Sequence, residues 1–328
     1  MAFMRAARHA GAAALATACA AAALLAGCAA TPAADHAGCG TLLDATPRVA
    51  VVSAFAPEVT LLNARLQDAR HHRVQGVDFA TGTLEGRPVV LFQSGISMVN
   101  AAMNTQRAID RFHVTHIVFS GIAGGVNPAL AIGDVSVPAR WGQYLELLAA
   151  REAAPGRFEP PARMRDELAF APFGMFYPRP VEVHSAAHPD GARQFWFPVD
   201  AGMLAAAGRL ASAGGNGVAL GACDGAGRCL RHAPRLVVGG SGVSAQVFMD
   251  NAALRDYTFR TFDANVIDME TAATAQVAAS NGLPFIAFRS LSDLAGGGEG
   301  ENEMETFMQI AADNSARVLL AFLSAWKP

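Results

Sequence analysis

Charge is scarce in this chain of 328 residues. Only 16% are Asp, Glu, Lys or Arg, the net charge is -3, and Lys and Arg never form a run. Nucleic-acid binding needs a basic patch, so the sequence speaks against that class of partner. Cysteine is also sparse, with five in all, and the spacings match no zinc pattern. No His–Glu metal motif is present, so neither a metal nor a cofactor is expected. A P-loop, a true GxGxxG and an internal repeat are missing too. What remains is an apolar chain, 52% hydrophobic with 32 glycines, many of them at the ends of apolar runs. That composition excludes disorder and suits an α/β protein with tight strand–helix turns.

The N-terminus reads as a targeting segment. Arg5 and Arg8 precede an Ala/Leu-rich run to Leu25, a positive n-region followed by an apolar h-region. Leu25 to Cys28, "LAGC", resembles the bacterial lipobox, which implies removal of residues 1–27 and lipidation of Cys28. Residues 28–47 then form a small, polar tether. No second hydrophobic span follows, so the expectation is an exported domain that is periplasmic or held to a membrane by its lipid. Cys223 and Cys229 flank "DGAGR" and are candidates for a small disulfide in an oxidising compartment, which would leave Cys39 free.

From Arg48 onward strands and helices alternate. "RVAVVSAF" reads as a buried strand, and "PEVTLLNARLQDA" as a helix with Pro57 and Glu58 in its first turn. "FATGTLEGRPVVLFQSG" reads as a hairpin turning at Glu85-Gly86. "VNAAMNTQRAIDRF" is a helix, "HIVFSGIAGG" a strand entering a Gly-rich loop, and "GDVSVP" another strand. Residues 141–200, rich in Pro, Arg, Phe and His, read as an insertion with few regular elements, either a cover for a site or dimer contact, or a surface excursion with its own aromatic core. The alternation resumes with a helix from Ala201, "RLVVGGSG" as one strand, and a helix over "NAALRDYTFRTF". "NVID" is a strand, the helix after it ends at Gly282, "LPFIAFRSLSD" is a strand, and a long amphipathic helix closes the chain. The prediction is one α/β domain over 48–328, a three-layer αβα arrangement around a central mixed sheet.

In such folds ligands sit beyond the carboxyl ends of strands. Ser94-Gly95, Glu58, Asp268 to Glu270 and Ser292-Asp293 all stand just past strand ends. Singly each has a bland reading as a turn, an N-cap or a solvated first-turn acid. Met269 and Phe248 read equally well as core residues.

Taken in order, "SAFAPEVTLL", "SGISMVNAA", "GIAGGVNPALAIGDVSVP", "SAQVFMDN", "VIDMETAATAQV" and "RSLSDLAGG" resemble the nucleoside phosphorylase/nucleosidase superfamily. The likeness is greatest to its 5′-methylthioadenosine/S-adenosylhomocysteine nucleosidase branch, and "SDLAGGG" and "VFMDNAALRDY" are also similar to plant storage-type relatives. The resemblance implies cleavage of an N-glycosidic bond. Asp293 matches the acid that protonates the purine at N7, with Ser292 orienting it. Glu270 matches the carboxylate that binds the ribose hydroxyls, Met269 the residue against the sugar face, and Phe248 the aromatic that stacks on the base. Ser94 and Gly95 match the sugar and nucleophile side. Asp268 stands where the nucleosidases usually have Glu, and reads as a pairing partner rather than a catalyst, without a firm role.

The nucleophile decides the class. Phosphorylases of this superfamily clamp phosphate with arginines. Here Phe119 precedes "SGIAGG" and "SAFAPEV" holds no Arg. Glu58 matches the carboxylate that activates water, and a carboxylate repels phosphate. The expected activity is hydrolysis of a purine nucleoside or 5′-thio-nucleoside. The alternatives are a phosphorylase fed by Arg140 or an arginine of the insertion, and a non-catalytic nucleoside-binding protein. Relatives of this type are commonly homodimers.

Overall fold

The apolar runs lack alternation for a direct reason. In β1 (Asp44–Ser53), Ala50 and Val52 enter one core while Val49 and Val51 enter another. A strand buried on both faces needs apolar residues at every position. The computed structural model describes residues 41–212 and 218–327. The signal segment, Cys28, Cys39 and the tether as far as Gly40 lie outside them. β1 starts ahead of Arg48, inside the stretch expected to be tether, and Arg48 pairs with Asp44 at 2.5 Å.

α1 (Ala56–Arg65) stops earlier than its sequence pattern suggests, because Leu66 is extended and β2 (Gln67–Val74) follows at once. "RHHR" offers no apolar stripe for a helix to bury, so pairing with β3 (Val77–Leu84) wins over helix propensity. β3 and β4 (Arg87–Gln93) form the expected hairpin, with Glu85 and Gly86 both at positive φ, 49° and 77°. α2 (Met98–Arg111), β5 (Phe112–Gly125), β6 (Val135–Val137) and β7 (Arg140–Gln143) follow.

Residues 141–200 carry more regular structure than expected. They hold β8 (Leu147–Ala149), β9 (Arg151–Ala154), β10 (Arg157–Glu159), a 3-10 helix at Ala162–Glu167, β11 (Phe176–Pro178), β12 (Val181–Ser185), β13 (His188–Gln194) and β14 (Trp196–Pro198). These form small antiparallel pairs, and β14 pairs with β7 as part of the main sheet. Such short strands, β9 wholly exposed, leave no apolar alternation to read. Phe170, Phe195 and Trp196 pack on Phe262, which gives the insertion a local aromatic core.

After α3 (Ala201–Ser212), Cys223 and Cys229 are joined as a disulfide. "RLVVGGSG" is two strands rather than one, β15 (Leu236–Val238) and β16 (Ser241–Ser244). Gly239 and Gly240 separate them at φ 108° and 73°, outside the β region. α4 (Ala252–Phe262) is capped by the Asn251 side chain, which accepts from Leu254 N–H. β17 (Ala264–Asp268), α5 (Thr271–Ser280), β18 (Phe285–Asp293) and α6 (Met304–Ala325) complete the chain.

The central mixed sheet has 12 strands, in the main order β14-β7-β16-β17-β5-β1-β4-β3-β2. β18 pairs with β5 and β6, and β15 with β6. One core lies between this sheet and α1, α3 and α6; the other lies between it and α2 and α5. The result is a three-layer αβα fold.

Candidate active site

The C-terminal ends of β1, β17 and β18 converge with the Gly-rich end of β5 on a cleft of about 250 Å³. Glu58, Phe248, Met269, Glu270, Ser292 and Asp293 line it together. Ser94 and Gly95 do not. Ser94 is fully buried, and its hydroxyl donates to the Gly95 carbonyl. Gly95, at φ 78°, lines a neighbouring groove with Gln93 and Asn104. The turn instead brings Ile96 into the cleft, and the Ser97 N–H donates to Glu270 Oε1 at 2.8 Å.

Glu58 is buried in the first turn of α1. Its Oε2 accepts from Ala54 N–H at 2.5 Å and its Oε1 from Ile122 N–H at 2.8 Å. A Cβ at position 121 would collide with this carboxylate, so its close approach requires Gly121, which lies within β5: the Gly-rich segment expected to be a loop is strand, paired with β18 as far as Gly124. Burial pushes the Glu58 carboxyl above the usual range, against the pull of Arg289 and the two amides.

Arg289, which the sequence reading passed over, lies beneath these acids in β18 and is wholly buried. Its NH1 is 3.6 Å from Glu58 Oε1, its NH2 3.7 Å from Glu270 Oε2, and its Nε 2.8 Å from Asp268 Oδ2. The guanidinium carbon lies 4.1 Å from the centroid of the Phe119 ring, a cation–π contact. NH2 has no hydrogen-bond partner among the described residues. The missed signal was an arginine inside an apolar strand, since a buried cation demands acids around it.

Glu270 is pushed up to about 7, chiefly by burial; Arg289 opposes this, and Asp268 and Glu58 add to it. Asp293 has no cation of its own. Its Oδ1 accepts from Ala295 N–H at 2.8 Å and from Asn302 Nδ2 at 3.3 Å, and its Oδ2 from Ser292 Oγ at 2.9 Å. Burial again raises its pKa, against those donors. Phe248, 52% exposed, presents its ring at the cleft, and Met269 is half-buried beside Glu270. Phe55, Ile96 and Met304 make the remaining wall apolar.

No residue between 141 and 200 lines the cleft, so the insertion does not form its walls. Arg140 is engaged elsewhere: Nε donates to Ser241 Oγ at 2.9 Å, and the guanidinium stacks on Trp196 at 4.2 Å. Among the described residues no His, Cys, Asp or Glu cluster is arranged to hold a metal ion.

This chain is similar to known proteins along most of its length. It is 28% identical over 279 residues to a 5′-methylthioadenosine/S-adenosylhomocysteine nucleosidase of Geobacillus thermodenitrificans, covering 84% of this chain and 96% of that one. The solved nucleosidase of Colwellia psychrerythraea 34H, in complex with adenine, superposes with a TM-score of 0.63 at 26% identity, over 85% of this chain and 96% of that one. Futalosine hydrolase of Helicobacter pylori shares the fold, with a TM-score of 0.61 at 20% identity over 84% and 97%. The family model described as the Phosphorylase superfamily matches residues 48–324, from β1 into the last turns of α6. The chain belongs to the Phosphorylase superfamily.

Proposed function

We propose that this protein is a nucleosidase that hydrolyses the N-glycosidic bond of a purine nucleoside or 5′-thio-nucleoside. The observation that carries this reading is the Glu58 carboxylate seated on the amides of Ala54 and Ile122. Those two N–H groups and Arg289 would otherwise suit an oxyanion. A built-in carboxylate fills that position and repels phosphate, and its raised pKa makes it a stronger base toward water.

In this mechanism Glu58 takes a proton from water as the water oxygen bonds to the anomeric carbon. The bond from that carbon to the purine nitrogen breaks, and Asp293 delivers its proton to the base at N7. Ser292 orients the Asp293 carboxyl. Glu270 holds the ribose hydroxyls, and those bonds tighten as the sugar gains positive charge. Phe248 stacks on the base. The apolar wall of Phe55, Ile96 and Met304 suits a 5′ substituent without charge. Base release from methylthioadenosine is expected without added phosphate; strict dependence on phosphate would overturn the hydrolytic reading.

Two further parts of the reading concern its setting. The lipobox-like "LAGC" and the Cys223–Cys229 disulfide support an exported, lipid-anchored enzyme. Labelling by palmitate that is lost in Cys28→Ser tests the anchor. Ile96, Val99 and Met103 are 51%, 63% and 41% exposed around the start of α2, beside the cleft, and support a homodimer. Sedimentation of the purified domain tests it.

A further inference from the structure

Asp268 is the acid of "VIDMET" without an assigned task, and its surroundings supply one. It ends β17 and is 6% exposed. Its Oδ1 accepts from Ser244 Oγ at 2.5 Å, and from the N–H groups of Glu270 and Thr271, each at 3.1 Å. Its Oδ2 accepts from Thr271 Oγ1 and pairs with Arg289 Nε at 2.8 Å. Arg289 Nε in turn donates to Thr271 Oγ1 at 2.8 Å. Both oxygens are therefore committed to protein donors, which leaves little capacity for a substrate hydroxyl. Asp268 does not bind the nucleoside, although it borders the cleft.

Those contacts hold Arg289 by its inner edge while Phe119 supports its face. Only NH1 and NH2 remain to point at the other acids. NH1 also donates to the Ile122 carbonyl at 3.2 Å, from the stretch of β5 that seats Glu58. The same carboxylate ties down the first N–H groups of the turn that carries Glu270.

We propose that Asp268 is a positioning residue for hydrolysis, setting Arg289 and the Glu270 turn so that the guanidinium sits between Glu58 and Glu270. This rests on the nucleosidase reading above. The Asp268 carboxyl has a second consequence. Glu58 is faced by Arg289 from β18 and Asp268 from β17; Glu270 is faced by Arg289, Asp268 and Glu58. Tyr144, after β7, is a buried phenol whose own pKa is raised by burial and by Asp268. The negative charge of Asp268 makes both glutamates harder to ionise, while Arg289 does the reverse.

The test is base release by Asp268→Asn and Asp268→Glu, each with a pH profile, and by Asp268→Asn in an Arg289→Lys background. Asp268→Asn is expected to lower kcat about a hundredfold with KM changed less than about threefold. Its acid limb moves about one pH unit lower, because a charge beside Glu58 has gone. The further loss in the Arg289→Lys background is much smaller, since the two residues act as one unit. Asp268→Glu restores the position of the limb. The proposal is overturned if Asp268→Asn keeps kcat within about threefold with an unmoved limb, if its loss lies in KM, or if the losses multiply in the double variant. Should Asp268→Asn fail to fold, Asp268→Glu decides: a wild-type limb with kcat within about tenfold of wild type supports the proposal, and a displaced limb or a loss carried in KM overturns it. A wild type that releases no base without phosphate would overturn the hydrolytic reading itself, a result distinct from all of these.

Discussion

The Glu58 carboxylate and the Ile122 amide meet at 2.8 Å, which joins the first turn of α1 to the Gly-rich end of β5 through a side chain rather than through a bound anion. The glycine at 121 makes room for that carboxylate, and the buried arginine faces it at 3.6 Å.

Emptying the seat tests the assignment. Glu58→Ala removes the base and exposes two amides and a guanidinium, so base release should fall by about a thousandfold. Added formate should recover part of that loss, because a small carboxylate fits where the side chain was. Glu58→Gln keeps the volume and should show no recovery. The readout is adenine release with and without formate; near-wild-type activity in Glu58→Ala would remove Glu58 from the mechanism.

Asp293→Asn separates proton delivery from binding. Asn can hold the base by hydrogen bonds but has no acidic proton to give. Turnover should fall by about a hundredfold to ten-thousandfold, while calorimetric affinity for an uncleavable nucleoside analogue stays within about tenfold. Undiminished turnover would sink the acid role.

The half-exposed ring of Phe248 should matter to binding more than to chemistry. Phe248→Ala should raise KM about fivefold, in line with about 1 kcal/mol for an aromatic contact, and leave kcat nearly unchanged. A selective fall in kcat would instead make the ring part of the reacting geometry.

Stability should depend on pH in an unusual direction. Glu58, Glu270 and Asp293 all hold their protons more firmly folded than unfolded. For Glu270 that contribution is full below about 4.5, its ordinary value, and is lost as the pH rises through about 7, and the raised values of Glu58 and Asp293 act in the same direction. For Glu270 alone the loss is on the order of 1–3 kcal/mol. The ligand-free domain should therefore melt at a lower temperature at pH 8 than at pH 5.5, and Glu270→Gln should flatten that slope. A wild-type Tm that rises over the same interval in parallel with Glu270→Gln would contradict the burial effect.

Much of this site was legible because strand ends and helix starts carry their own marks. The apolar runs put Glu58 behind Pro57, Glu270 after "VID" and Asp293 at the end of its strand, and the resemblance to the nucleosidases grouped them as one site. The failures have local causes. Ser94 and Gly95 stand outside the lining of the cleft, in a turn with positive φ at Gly95 and Ser97, and sequence does not show which way a turn faces. Arg289 was lost inside "FIAFRSLSD" because an apolar run hides its one cation until the acids opposite are known. The first residues of β2 were read as the end of a helix and the rest as no element, because its partner strand, not its composition, decides its state. The hairpins of 141–200 are too short and too exposed to leave a pattern.

β1 enters the domain at Asp44 and delivers the chain to Ala54 at the floor of the cleft. A ten-residue strand spans roughly 30 Å. Whatever is fused ahead of Asp44 thus joins the fold a full sheet-height from the catalytic mouth. The enzyme can be tethered to a bead, a bilayer or another protein by that end with its substrate path left open.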